Sequence, residues 1–186
     1  MQTSMIIVIA VVALLAGAAV AWAFMNSKLR SVELKRRFGP EYDRAVDAAG
    51  SPRRAEAELA SRAKRVEKLD IRPLSQADFD RFSDKWRSVQ AFFVDNPNAA
   101  VADAETLVQE VMRTRGYPIG DFDQRAADIS VDHPRVVENY RAARDVAIAS
   151  RRGQVSTEDL RRATIHYRML FEDLLETAGR EAEVRR

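Results

Sequence analysis

Residues 79–93 read FDRFSDKWRSVQAFF, and this stretch indicates the fold class of the chain. Its large apolar side chains recur at steps of three and four residues, at Phe79, Phe82, Trp86, Val89 and Phe93. In an α-helix this spacing places all five on one face, whereas a strand would alternate at every second residue. We predict a helix whose aromatic face is buried in a core. Stacking of the same face on a base or a flat ligand is the less favoured interpretation.

Helix start and stop signals surround this stretch and repeat after it. Ser75 followed by Asp78 resembles a capping box, and Asn96-Pro97 ends one helix and begins the next. Three further segments carry apolar stripes at helical spacing, within residues 101–112, 136–147 and 160–175. We also expect a short helix near 121–128, and we expect Asp132 to cap the helix that follows it.

The periodic segments predict an all-α chain with an antiparallel four-helix-type bundle at 73–178. A charged C-terminal tail is expected at 179–186. Residues 28–72 are interpreted as a charged, basic helical stalk, because residues 28–68 hold a net charge of +5 while residues 69–186 hold −3. Within the stalk a narrow apolar stripe at Ala55, Leu59, Ala63 and Val66 predicts a helix that is either solvated or paired with a neighbour.

An N-terminal transmembrane helix is predicted at residues 5–25, within a first segment of 1–27. The sequence MIIVIAVVALLAGAAVAWAFM contains only apolar residues and Gly. Its length corresponds to roughly 31 Å of helix, which matches a hydrocarbon core of about 30 Å. The Ile, Val, Leu and Phe side chains favour insertion by roughly 3–6 kcal/mol. A cleaved signal peptide is the alternative, but the basic leading segment of signal peptides is missing and the apolar run is longer than usual.

The charges beside this segment predict its orientation. Basic side chains lie only on its C-terminal side, so the positive-inside rule places the N-terminus outside and the C-terminal domain in the cytoplasm. The expected location is the inner (cytoplasmic) membrane. The same cations are predicted to contact the anionic membrane surface, and they are Lys28, Arg30, Lys35, Arg36 and Arg37.

Small residues recur four apart within the apolar segment. Ala13, Gly17 and Ala21 form a small-xxx-small pattern that permits close approach of two transmembrane helices. A homodimer through this face is therefore possible. Alanine is so common in the segment that chance also explains the pattern.

Catalytic signatures are missing from the sequence. It contains no phosphate-binding Gly-rich loop, no HExxH, no GxSxG, no dinucleotide fingerprint and no Cys. We predict no catalytic residue and no cofactor. One segment, 115–135, concentrates oxygen and imidazole ligands, and its candidates for a divalent cation are Asp121, Asp123, Asp128 and His133. Helix capping by Asp121 and Asp132 and solvation of the other side chains explain these residues more simply, so no metal site is the favoured expectation.

Three segments resemble a family of uncharacterised bacterial single-pass membrane proteins of unknown function. They are VEKLDIRPL at 66–74, RGYP at 115–118 and SVDHPRVV at 130–137. The resemblance extends over about residues 38–176. It implies a bacterial setting, an N-terminal anchor and a helical domain, and it implies no catalytic residue.

These observations favour a non-enzymatic, membrane-tethered helical module that binds a protein partner. The first alternative is a metal-binding or enzymatic domain that uses the 115–135 segment. The second is a membrane-tethered nucleic-acid binder that uses the basic stalk. No nucleic acid is expected as a partner, because the distal domain is slightly acidic.

Overall fold

The computed structural model describes residues 28–184, with side chains as far as Glu176, and the single residues Leu14, Gly17, Trp22 and Met25. The described residues are helical, without a strand, so the all-α prediction is confirmed. The first helix, α1, covers residues 28–38. The others are α2 (Pro40–Ala49), α3 (Pro52–Val66), α4 (Gln76–Phe92), α5 (Pro97–Arg115), α6 (Phe122–Asp132), α7 (Val137–Ser150) and α8 (Thr157–Val184).

Side-chain caps explain where several helices begin. Ser75 accepts a hydrogen bond from the backbone N–H of Asp78, as its sequence position predicted. At the start of α8 the Ser156 hydroxyl accepts from the Asp159 N–H, and the Asp159 carboxylate accepts from the Ser156 N–H. The Asp159 carboxylate also accepts from the Ser156 hydroxyl, and the two bonds that it accepts from Ser156 lower the pKa of Asp159 to about 2. Their stabilisation is therefore present above the ordinary Asp pKa and is lost as the pH falls through about 2.

The main hydrophobic core lies among α4, α5, α7 and α8, with α6 against it. Helix α5 contacts α4, α7 and α8, and α7 also packs along α8. The stripes predicted for α5, α7 and α8 are buried throughout. The buried members on α8 are Leu160, Ala163, Tyr167, Leu170, Phe171, Leu174 and Leu175.

Helices α1, α2 and α3 form a second hydrophobic core, in the region predicted as a stalk. Helix α2 packs against α3, and the buried stripe of α3 includes Leu59 and Val66. Phe38 of α1 and Val131 of α6 belong to the same apolar cluster. The stripe on α3 therefore pairs with neighbours, which is one of the two outcomes that its narrow width allowed.

A buried ion cluster joins this region to the bundle. The Glu41 side chain of α2 is fully buried, and it accepts hydrogen bonds from Arg62 of α3 and from Arg141 of α7. The Arg62 Nη1 to Glu41 Oε1 distance is 2.8 Å, and the two Arg141 Nη atoms lie 2.7 and 2.8 Å from the two carboxylate oxygens. We call Glu41, Arg62 and Arg141 the Glu41 ion cluster. A bidentate pair of this kind fixes both distance and orientation.

Two details of the 115–135 segment differ from prediction. Helix α6 continues to Asp132, beyond the expected end near residue 128. Asp132 does not cap α7, which begins at Val137 without a side-chain cap. The Asp132 carboxylate instead accepts a hydrogen bond from the Tyr117 hydroxyl at 2.8 Å, and this partner could not be read from local spacing.

The predicted transmembrane segment falls largely outside the described residues. Ala13 and Ala21 are among the residues outside, whereas Gly17 is helical and a Cβ built on it would meet no atom within 4 Å. Within the part of the chain that the structure describes, we found no helix with the length and apolar character needed to cross a bilayer.

Among polar positions, we expect substitutions in the Glu41 ion cluster to lower the stability of the fold most. Glu41→Gln leaves two arginines without their carboxylate, so the free energy of unfolding should fall by about 3–5 kcal/mol. Urea denaturation of the detergent-solubilised chain, followed by circular dichroism, measures this change. The matched control is Glu33→Gln, which breaks the exposed 2.7 Å pair with Arg36 and should cost less than about 1 kcal/mol. Equal losses in the two variants would contradict the role assigned to the cluster.

Candidate protein-interaction groove

An apolar groove runs between α4 and α8. Helix α4 packs mainly on α5, and it reaches α8 through Trp86, whose ring stacks on Phe171 with centroids 4.8 Å apart. Two open cavities lie along this groove, and Trp86 lines both of them. We call this feature the α4–α8 groove.

The two cavities are formed by different ends of α4 and α8. The first, about 160 Å³, lies where the end of α4 meets the start of α8, and its lining includes Phe93 and Ile165. The second, about 270 Å³, lies where the start of α4 meets the later part of α8, and its lining includes Phe79 and Leu175. Helices α4 and α8 therefore run in opposite directions along the groove.

Large apolar side chains are exposed along the groove. Phe79 is 37% exposed, although its spacing predicted a core position together with Phe82 and Trp86, which are buried. Ile165 and Met169 of α8 are 50% and 45% exposed. Both residues lie outside the buried stripe of α8. Large apolar residues outside such a stripe are the sequence signal from which this exposed apolar surface could have been predicted. Apolar surface rimmed by polar groups is typical of an interaction site.

Trp86 contributes an unpaired donor at the centre of the groove. The residue is 5% exposed, and its indole Nε1–H is buried without a hydrogen-bond acceptor. Most buried side-chain donors in folded proteins have a partner. Because this atom is buried, it lies beneath the surface of the groove and not on it.

The charges that line the groove are segregated. The first cavity has two cationic side chains, Arg161 and Arg168, and no acidic residue in its lining. The second has two acidic side chains, Glu172 and Glu176, and no basic residue in its lining. Among these lining residues the cations lie toward the start of α8 and the carboxylates toward its later part, and the two sets meet where Arg168 donates to Glu172 at 2.6 Å.

The four metal candidates do not meet in one cleft. Asp121 caps α6 by accepting from the Gln124 N–H, and Asp123 lies beside it in the first turn. Asp128 is buried and accepts hydrogen bonds from Arg65 of α3 and from the Gln124 side chain. His133 faces a different cleft. No group of three His, Asp or Glu side chains suited to a metal ion occurs within residues 28–176.

His133 is held between α5 and α8. Its Nδ1 lies 2.5 Å from an Asp173 carboxylate oxygen, and its Nε2 lies 3.4 Å from Nη1 of Arg115. Since a guanidinium can only donate, Nε2 accepts and Nδ1 carries the proton that is donated to Asp173. Arg115, only 1% exposed, also donates to the Leu174 carbonyl at 3.1 Å. Both ring nitrogens are therefore occupied by structural partners.

Two clefts that are larger than the groove cavities are lined by more polar than apolar surface. One, about 460 Å³, lies between α3 and α6 and includes Arg62 and Arg141 of the Glu41 ion cluster in its lining. The other, about 530 Å³, lies beside His133 and is lined by Arg36, Arg37 and Arg135 together with Asp132 and Asp173. Charges of both signs line each cleft. Apolar atoms make up a smaller share of the lining in each cleft than in the α4–α8 groove.

The predicted membrane-surface cations lie on α1. Lys28, Arg30, Lys35, Arg36 and Arg37 are all exposed. Arg36 pairs with Glu33, and the Lys35 ammonium lies 5.1 Å from the centre of the Tyr42 ring. The structure thus places these residues together on the helix that follows the predicted anchor.

Gly116 permits a close backbone contact beside Arg115. Its φ angle is +100°, and a Cβ at this position would lie 2.2 Å from the Asp70 carbonyl oxygen. The neighbouring Arg115 carbonyl accepts from the Arg72 N–H at 2.9 Å. The segment that connects α3 to α4 is therefore held directly against the end of α5.

We expect Gly116→Ala to destabilise the fold by at least about 2 kcal/mol, because it combines an unfavourable φ with a backbone clash. Gly120→Ala is the matched control, since its Cβ would meet only the Gln124 Cγ at 4.0 Å. That change should shift the free energy of unfolding by less than about 1 kcal/mol. Urea denaturation of the two variants compares them, and a Gly116 variant as stable as the Gly120 variant would refute the close contact.

Comparisons with protein-family models, curated proteins and solved structures found no match to this chain. The resemblance drawn from residues 66–74, 115–118 and 130–137 stays a prediction.

Proposed function

We propose that this chain is a non-enzymatic, membrane-anchored interaction module whose helical domain binds a protein partner through the α4–α8 groove. The observation that carries the proposal is the exposure of Phe79 and Ile165, which line the cavities on the two sides of Trp86. When a partner covers large apolar side chains, their removal from water lowers the free energy of the complex. Tryptophan is enriched at the centres of protein interfaces.

The size of the cavities favours a protein over a small molecule. Typical small-molecule sites enclose about 300–1,000 Å³ and bury most of the ligand. The groove instead offers two shallow cavities of about 160 and 270 Å³ on either side of Trp86. Side chains that project from one partner surface suit two such separated cavities.

The membrane anchor is part of the proposal and rests on residues 5–25. Their length and composition suit a bilayer span, with the N-terminus outside and the helical domain in the cytoplasm. Leu14, Trp22 and Met25 are exposed, so these three apolar side chains are not packed against the helical domain. The cations on α1 would then lie next to the anionic membrane surface.

The geometry gives less support to the alternative functions. Several of the ligand atoms proposed for a metal already have partners: Asp121 accepts from the Gln124 N–H, and Asp128 Oδ1 accepts from Arg65. The two ring nitrogens of His133 contact Arg115 and Asp173. A nucleic acid would have to bind the exposed cations of α1. These cations form only a short stretch, and it lies beside the proposed bilayer. A protein partner in the groove is therefore the function that we prefer.

Photo-crosslinking in native membranes tests the partner. We expect p-benzoylphenylalanine at position 165, and separately at position 79, to yield a discrete adduct with another protein. Position 94 is the control, because Val94 is 82% exposed and lines neither cavity. Phe79→Lys should suppress the adduct formed from position 165. No adduct at the groove positions, or the same adduct from position 94, would refute the proposal.

Fusion reporters test the orientation of the anchor. A reporter that is active only in the cytoplasm, joined after Arg186, should be active, because the flanking cations hold the C-terminal side inside. Replacing the five α1 cations with Gln should reduce this preference. Activity of a reporter that requires export, at the same position, would overturn the proposed topology.

A further inference from the structure

We infer that the α4–α8 groove binds one amphipathic α-helix of the partner, with the acidic end of that helix beside Arg161 and Arg168 and its basic end beside Glu172 and Glu176. This inference rests on the proposed function and specifies the chemistry of the partner. It is argued from the dimensions, the walls and the charges of the groove.

The groove has the length of a short helix. Its lining on α8 extends from Arg161 to Glu176, which corresponds to about 22 Å, or about four helical turns. The centres of the two cavities are separated along α8 by roughly 13 Å. Apolar side chains two to three turns apart on one helix face would reach both cavities, which is the usual spacing of anchors in helix-in-groove binding.

The walls of the groove favour a helix over an extended strand. Both walls are helices, whose backbone groups are already paired internally. An extended segment placed there would lack backbone partners on either side, and unpaired backbone groups in a buried interface are costly. A helix satisfies its own backbone and presents only side chains to the groove.

The segregated charges define the polarity of the partner. Arg161 and Arg168 line only the first cavity, and the two glutamates line only the second. Arg161 pairs with Glu158, and Arg168 pairs with Glu172 at 2.6 Å, but these side chains are about half exposed or more. Such exposed pairs contribute little free energy, so partner charges can replace or join them. A helix with uniform charge would meet repulsion at one end of the groove.

Trp86 closes the middle of the groove, because its ring lies between the two cavities. Its Nε1–H is buried and offers no donor to a partner on the surface. The partner helix therefore needs no large anchor between its two apolar anchors, and an uncharged polar residue such as Gln suits this position.

Three synthetic peptides test the inference. They are 18-residue amphipathic helices with the same Leu anchors and a central Gln, and they differ only at the ends: Glu at one end and Lys at the other, Lys at both ends, or Glu at both ends. Each is labelled with fluorescein, and its affinity for the full chain in phosphatidylcholine nanodiscs is measured by anisotropy at low ionic strength. Empty nanodiscs supply the baseline. We expect the peptide with opposite ends to bind at least about tenfold more tightly than either uniform peptide.

Protein variants supply the reciprocal test. The double change Arg161→Glu and Arg168→Glu should transfer the preference to the peptide with Lys at both ends. Ile165→Lys should weaken all three peptides by at least about tenfold, whereas Val94→Lys should leave their affinities unchanged. Circular dichroism confirms that each variant is folded before it is compared.

Several outcomes would overturn the inference. If the peptides bind equally and Ile165→Lys still weakens them, the groove accepts a helix without charge selection, and the proposed function stands alone. If no peptide binds, or if binding ignores Ile165→Lys, the helix is the wrong occupant, and the crosslinking result decides the proposed function separately. If the chain without peptide self-associates and Ile165→Lys abolishes this, the occupant is a second copy of the chain.

Discussion

Burial of the Glu41 carboxylate against two arginines is the constraint on which the arrangement of the helices depends. A buried charge is tolerated only when its partners are complete, and here they come from three helices, α2, α3 and α7. Any displacement of α2 and α3 from α7 would separate Glu41 from Arg141 and leave charge unpaired. The ion cluster therefore makes the relative position of the two hydrophobic cores costly to change, which apolar contacts through Val131 alone would not achieve.

A second set of contacts holds the same two regions together just beyond the C-terminal end of α3. The chain between α3 and α4 crosses α5 at Gly116, where only a residue without a Cβ permits the contact with Asp70. Arg115 connects this crossing to α8 through the Leu174 carbonyl. Helix α8 thus provides contacts to the crossing segment on one side and the residues of the groove on another. One wall of the groove is therefore formed by α8, and the contacts on the other side of α8 hold this helix in position.

Helix positions and buried faces could be predicted from the sequence because they depend on local spacing. The stripes on α5, α7 and α8 and the caps at Ser75 and Ser156 are examples. Contacts between residues far apart in the chain could not be predicted. Glu41 and Arg141 are 100 positions apart, and nothing near either residue marks the other as its partner. Phe79 shows the same limit, since its helical phase is close to that of Phe82 and Trp86, which are buried, but its side chain is 37% exposed.

The separation of the residues in the Glu41 ion cluster also has a consequence for synthesis. Helices α1 to α3 emerge from the ribosome first, and their own apolar contacts can form early. Arg141 follows Glu41 by 100 residues, which corresponds to roughly 5–20 s of translation. During that interval the partners available to the Glu41 carboxylate are water, Arg62 and Arg44, whose Nη1 lies 3.8 Å from Glu41 Oε1 in the finished protein. Closure of the domain therefore waits for α7, and a nascent chain halted before Arg141 would expose the side of α2 and α3 that the finished protein buries.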